Sequence, residues 1–563
     1  MKKIVKTILT VACLGLVSTS CVKEFNPQTS YVTAAQAAAA PGSYDNFVNA
    51  ITSTLAGQFV YSGSNNRPYD IGYPGFYLTR DVMGQDVVYA YQNWFSSWYG
   101  SKNLGPSYAY SQLPWTYYYG WIDSCNKVIS LGFAGKGEGE DPDADKVDGV
   151  GIAYCMRALY YFDMARMFAQ KTYAADKSSI TVPIVTESTS LEQLANNPRA
   201  TNEEMYAFIL SDLDKAEKYL AGYNRKDVYT PDLSVAYGLK ARVYLTMEDW
   251  ANAAKYAKLA QQGYTQMTAD EYTDWDTGFN SPNGAWMLAC QYKADDPNIT
   301  QNDADSSWGS MMIMEIEPYN CGCGYAANYG QAFFIDRHLY ETIPATDCRK
   351  KCYIDFAIDD MDEASQLKAL AQYSAHPDWL YGQHSIQSDY DGKIGGIELK
   401  FRPNGEEVGR NNQYIGFLVS VPMMRVEEMM LIEAEATGMQ NEGEGIALLK
   451  KFAEKRDPSY EYGTHTDAYY NTSTSQFRNE VWWQRRVEFW GEGLATFDIK
   501  RLQKGIIRSY EGTNHPELYR WNVEHTPDWM NWCIVQTESN YNRALVNNPT
   551  PIPPTADSAP FVW

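Results

Sequence analysis

The chain reads as a mainly α-helical protein: two helical arms, residues 44–262 and 420–563, flank an irregular insertion at 263–419. Three observations carry this reading. Apolar residues recur at helical spacing through Gly149–Gln170, as Ile152, Cys155, Met156, Leu159, Tyr160 and Phe162. Two helices between Pro231 and Gln262 place small residues where they would cross. Between 263 and 419 the period disappears. Short β-like runs, Trp286–Tyr292 and Ile397–Phe401, alternate there with loops rich in Gly, Asn, Asp and aromatics.

Taken in order, residues 1–20 form an export signal. Lys2, Lys3 and Lys6 precede an apolar run from Ile8 to Val17, then the small residues Ser18, Thr19 and Ser20. The run is too short to span a bilayer, which takes ~20 apolar residues. Cys21 at the cleavage point predicts acylation, with residues 21–43 as a lipid-anchored tether. Ser18 stands where a stricter lipobox carries Leu, so an ordinary secretory signal with an incidental cysteine is the alternative.

Residues 44–563 are expected to form one domain. A first helix is predicted around Tyr44–Gln58. Residues 61–120 are rich in Tyr, Trp, Gly and Asn with no sustained period, and 134–146 form an acidic connector. After the 149–170 helix, Thr201-Asn-Glu-Glu204 is a capping box opening a helix to Leu220. Pro231 starts another helix, which breaks at Glu248-Asp249. The Trp250–Gln262 helix follows, with Ala253, Ala254, Ala257 and Ala260 small enough for close contact. This antiparallel pair is tetratricopeptide-like. Helix returns at Met424–Thr437, Gly445–Lys455 and Gln476–Gln503.

Composition narrows the function. The formal charge is −22, and loss of residues 1–20 takes it to −25, which disfavours nucleic acid and anionic lipid as partners. The chain holds 44 Tyr and 16 Trp, more rings than a core needs, so many should face clefts or surfaces. Cys321, Cys323, Cys348 and Cys352 show gaps of one and three residues, which do not suit a zinc site. Local disulfides or buried free thiols both remain open. No cofactor is expected. No metalloprotease, nucleophile-elbow or nucleotide motif occurs. Glu488 and Glu492 lie four apart on one helix face. A glycosidase needs such a pair, but Arg485, Arg486 and Arg501 beside them favour structural ion pairs.

Several segments together are familiar. They are the tether with Asn26-Pro27, Arg157-Ala-Leu-Tyr-Tyr-Phe162, Ala236–Leu245 with Trp250–Ala254, and Arg425–Ala436. Arg485-Arg486-Val-Glu488, Gly491-Glu492-Gly493 and Phe497-Asp498 through Arg501 complete the set, with Asn547-Asn548-Pro549 near the end. In this order they resemble the SusD/RagB family of outer-membrane lipoproteins of the Bacteroidetes type. Ala495 and Val535 depart from the family's arginine and proline. The resemblance implies a SusD-like fold and a non-enzymatic protein on the cell exterior. Its expected role is to capture oligosaccharide or polysaccharide for a SusC-like TonB-dependent transporter. The RagB branch implies peptide capture as an alternative, and a secreted glycosidase is a more distant one.

Sugars offer apolar C–H faces rimmed by hydroxyls, which suit aromatic rings flanked by planar amides. By resemblance, the glycan-binding arc maps onto two loops. One contributes Tyr89, Tyr91, Gln92, Asn93 and Trp94. The other contributes Trp308, Tyr319, Asn320 and Tyr325. Alternate spacing of Tyr89 and Tyr91 would equally suit a strand facing the core.

Overall fold

The computed structural model describes residues 40, 42–56, 69–89, 94–318, 321, 324–381 and 393–563. Contacts divide the chain into Met1–Asn46 and Phe47–Trp563. The first unit is described only at residue 40 and residues 42–46, which begin the helix Ser43–Ser53. The signal and nearly all of the tether, Cys21 included, lie outside the described residues.

The second unit is built on helices, as expected. The helix Val147–Phe168 is buried along almost its whole length between the helices Ala109–Gly132 and Asn202–Tyr219. Gly151 permits this approach, because a Cβ there would sit 2.8 Å from Leu220 Cγ. Thr201 and Glu204 form the expected reciprocal capping box. Leu233–Met247 and Trp250–Ala260 make the tetratricopeptide-like pair. Asp232 and Asp249 cap their N-termini, and Glu248, at φ 59°, turns the chain between them. Ala253, Ala257 and Ala260 are fully buried at the crossing. Val426–Gly438 and Glu442–Ala453 form a second antiparallel pair beside it.

Three expectations need correction. The Ala109–Gly132 helix falls partly in the stretch that showed no period. Leu113, Trp115, Tyr117, Tyr118, Trp121 and Ile122 are buried on several of its sides, so no polar face marks the turn. Ile397–Phe401 is not a strand: Ile397 and Glu398 make only isolated bridges to Phe334 and Tyr353. The segment 476–503 is not one helix but two, Gln476–Glu488 and Ala495–Arg501. Gly491 and Gly493 break it with φ of 77° and 76°, and a Cβ on Gly493 would lie 2.6 Å from Tyr77 Cα.

Strands are few and short. Antiparallel pairs join β1 (Val87–Tyr89) to β3 (Phe333–Ile335) and β2 (Trp286–Gln291) to β4 (Ser420–Arg425). Each pair ties the irregular insertion to a helical arm. The first fixes where the chain enters the early aromatic loop.

Candidate functional site

The two acids that a hydrolase reading would use are committed elsewhere. Glu488 is fully buried and accepts from Arg456 at 2.9 and 3.0 Å, Arg425 at 3.2 Å and Arg349 at 3.3 Å. Glu492 accepts from Arg425 at 2.8 and 2.9 Å and from Lys400 at 2.7 Å. Burial pushes the Glu488 carboxyl up, but the Arg456 and Arg425 guanidiniums outweigh it and hold it well below the usual range. Arg485 and Arg501 share Asp498, each at 2.7 Å, and Arg486 grips Asp86. This network joins both arms to the insertion, and neither glutamate can reach a substrate.

The expected aromatic arc divides. Tyr89 is 1% exposed, stacks on Phe333 at 4.9 Å and 21°, and donates to Gln331 Oε1 at 2.8 Å. Trp308 is 1% exposed and packs edge-on to Phe401 at 5.3 Å and Tyr77 at 6.0 Å. Both are core residues, and neither offers a ring face to a ligand. Tyr91, Gln92, Asn93, Tyr319 and Asn320 lie outside the described residues.

Trp94 and Tyr325 remain, and the fold brings them together. Their ring centroids are 5.6 Å apart in an edge-to-face pair, and both side chains are half-buried. Tyr329, which sequence reasoning missed, adds a third ring 5.3 Å from Tyr325 and is 42% exposed. Its four-residue spacing from Tyr325 was the available signal. Tyr414, also missed, is exposed and donates to Asp303 at 3.0 Å at the edge of the same insertion.

The pair is held by its supports. Gly324 takes φ 93° and donates its N–H to Asp305 Oδ1 at 2.8 Å. The Tyr325 N–H donates to Ser310 Oγ at 2.9 Å, and Ser310 is fully buried. Burial, opposed by the Gly324 N–H and reinforced by Asp303, pushes the Asp305 carboxyl up to about 6. Just upstream, Asn302, Asp303 and Ala304 all take left-handed φ, at 47°, 55° and 61°. Such runs are costly for residues other than glycine and concentrate where a loop serves a site.

Among the described residues no group of cysteines, histidines and acids could hold a metal ion. Cys348 and Cys352 are free buried thiols, pushed up by burial to about 11 and about 12. Cys321 is also free, and Cys323 lies outside the described residues.

Fold and site together define a class: a helix-pair scaffold that carries an aromatic surface on irregular loops, pinned by buried ion networks. The family model described as "SusD family" matches residues 266–551, and the chain belongs to that family. A second model, described as "Starch-binding associating with outer membrane", matches residues 75–245. A SusD-like protein of Formosa agariphila is 22% identical over 72% of this chain and 75% of its own. A SusD-like carbohydrate binding protein of Bacteroides vulgatus has the same fold, with a TM-score of 0.66 at 22% identity. That match covers 90% of this chain and 97% of the other. Surface glycan-binding protein A of Bacteroides thetaiotaomicron, solved with laminarihexaose, aligns at TM-score 0.61 and 17% identity over 90% and 99% of the two chains.

Proposed function

We propose that this protein captures glycans at the cell surface and passes them to a SusC-like TonB-dependent transporter, held to the outer membrane by lipid on Cys21. The observation that carries the reading is the Trp94–Tyr325 pair, extended by Tyr329. Two loops far apart in sequence converge on one half-exposed aromatic patch, on the segments where the family resemblance puts its binding arc. Ring faces of this kind suit the apolar C–H faces of a sugar. The amides of Gln92, Asn93 and Asn320 are the proposed partners for its hydroxyls, with Tyr91 and Tyr319 as further rings. A carbohydrate binding protein and a laminarihexaose complex among proteins of the same fold support the ligand class. Among the described residues no helix is long and apolar enough to cross a membrane. The Cys21 lipid is therefore the proposed attachment, and residues 44–563 the proposed single domain.

The test is retention in native gels containing laminarin, starch, xylan, mannan or pectin, using protein that starts after Cys21. Wild type should be retarded by at least one polysaccharide, and Trp94→Ala should weaken that retardation. Retardation by none, with binding to a peptide library instead, would overturn the glycan reading.

A further inference from the structure

A cleft of about 570 Å³ lies between the C-terminal end of the Val147–Phe168 helix, the 469–471 bend, the end of the Ala495–Arg501 helix and residues 524–526. None of its lining belongs to the aromatic patch around Trp94. Its volume is that of a small-ligand site, about 300–1,000 Å³.

Two features of the backbone set this cleft apart. Tyr469 and Tyr470 take consecutive left-handed φ, at 45° and 66°, and Gln503 takes φ 51°. Tyr470 and Gln503 both line the cleft. For bulky residues these are outlying conformations, which persist only where the surroundings impose them. The surroundings do so here. Tyr469 is locked in the core, its hydroxyl accepting from Arg486 at 2.7 Å and its carbonyl accepting from the Gly505 N–H at 3.0 Å. Lys504 clasps the bend from below, donating to the Ala468 carbonyl at 2.8 Å and to Asn479 Oδ1 at 2.7 Å. With Tyr469 turned inward, the bend carries Tyr470 to the cleft.

Gln503 is the sharper case. It follows the last turn of its helix. Lys504 N–H returns to the Ile499 carbonyl at 2.9 Å and Gln503 N–H to the Lys500 carbonyl at 3.2 Å. That closure normally uses glycine, because only glycine takes the left-handed turn without cost. This chain spends a glutamine there, and its exposed side chain lines the cleft.

The remaining chemistry is that of a polyol site. Gln170, Thr172 and Thr526 add amide and hydroxyl groups beside Tyr470 and Gln503, whereas the Asn471 amide is taken, donating to the Leu502 carbonyl at 2.8 Å and accepting from the Ser473 N–H at 3.1 Å. Lys500, the buried cation of the wall, is committed to the end of the long helix. It donates to the carbonyls of Arg166 at 2.6 Å and Ala169 at 2.8 Å, so it does not mark an anion site. Lys171 and Glu524 carry opposite formal charges, and His525 completes the titratable part of the lining. The lining therefore offers one ring, several neutral hydrogen-bonding groups and no net demand for charge.

We infer that this cleft is a second carbohydrate site, taking one or two neutral sugar units against Tyr470 and the Gln503 amide. The inference rests on the glycan reading for its ligand class, but on none of the residues that carry that reading.

The test uses protein starting after Cys21 and a panel of neutral disaccharides: maltose, cellobiose, laminaribiose, mannobiose and xylobiose at millimolar concentration. Saturation-transfer NMR is recorded on Trp94→Ala, Trp94→Ala with Gln503→Gly, and Trp94→Ala with Tyr470→Asn. Glycine and asparagine both tolerate the left-handed turn, so neither change strains the backbone. Gln503→Gly should leave the melting temperature unchanged, and Tyr470→Asn should lower it only by the loss of the edge-on contact with Phe561 at 5.3 Å. At least one disaccharide should bind the Trp94→Ala protein, and each second substitution should weaken it at least fivefold. No signal from any disaccharide, or one that Gln503→Gly and Tyr470→Asn leave intact, overturns the second site. Failure of the first reading looks different: Trp94→Ala would leave polysaccharide retention unchanged while Gln503→Gly reduced it.

Discussion

The structure gives Trp94 and Trp308 opposite surroundings, half-buried and fully buried, and replacing each by alanine tests the roles proposed for them. Trp308 is enclosed by Tyr77 and Phe401, and the adjacent Gly309 lies against Phe417. Emptying such a site costs about 3–5 kcal/mol. With an unfolding entropy of about 2.1 cal/mol/K per residue, a chain of 563 residues carries roughly 1.2 kcal/mol/K. Trp308→Ala should therefore lower the melting temperature by roughly 3–4 °C. Trp94 is only half-buried, so Trp94→Ala should shift it by about 1 °C or less. Binding should show the reverse order. Loss of one anchoring ring removes on the order of 1 kcal/mol or more, a fivefold to tenfold weaker affinity. The assays are scanning calorimetry and native-gel titration against whichever polysaccharide retards wild type. The reasoning fails if Trp308→Ala weakens capture at an unchanged melting temperature, or if Trp94→Ala unfolds the protein.

Other consequences follow from the ion network and the anchor. Glu488→Ala removes the carboxylate shared by three buried guanidiniums, leaving Arg349 with Asp347, Arg425 with Glu427 and Glu492, and Arg456 with Glu427. This excess of buried positive charge should cost about 3–5 kcal/mol in calorimetry. Glycoside hydrolysis by wild type that vanished in this variant at unchanged stability would contradict the structural role. Stability should also peak near pH 5. Burial is outweighed by arginines at Glu488, Glu492, Glu435 and Asp498, so their folded pKa values lie below the unfolded ones. Their contribution is present above about pH 4 and lost as pH falls further. Burial pushes Asp81 up to about 7 and Glu398 up to about 8, so they contribute fully below about pH 4 and lose that contribution as pH rises through 7–8. A melting temperature that is level from pH 3 to 9 would refute both assignments. Cys21→Ala should move the protein from the detergent to the aqueous phase on detergent partition, and equal partition of the two would remove the lipid anchor.

What the sequence showed, and what it hid, depends on the range of the interaction. The Thr201–Glu204 box, the Glu248 break and the alanine face of 253–260 act within a few residues, and all were legible. The 109–132 helix was hidden because apolar residues lie on several of its sides. The 476–503 segment was misjudged because its period continues across Gly491 and Gly493. The two glycines turn left-handed there, and the close approach of Phe401 and Tyr77, which leaves no room for a Cβ, is not visible in the sequence. At the site, the choice between Trp94 and Trp308 is made by Tyr77, Phe401 and Phe417. Nothing local to either tryptophan records that choice. Tyr329 was missed because one turn of helix is too short to show a period.

The same division explains why the family could be read and the ligand could not. Several of the segments that carry the resemblance are buried in ion networks. Arg157 binds Asp212 at 2.7 Å, Arg242 holds Glu428, and Arg425, Glu488 and Glu492 close the centre. Removing one partner from any of these leaves an uncompensated buried charge, so each member constrains the others. Such constraints can hold one backbone together while most other positions differ, and the solved structures of this fold align at TM-scores of 0.66 and 0.61 with 22% and 17% identity. The proposed sugar contacts sit on loops supported by single hydrogen bonds, as from Gly324 to Asp305 and from Tyr325 to Ser310. A ring can be exchanged there without stranding a buried charge. On the proposed reading, the frame sets where a glycan would be met, and the rings on the two loops set which one.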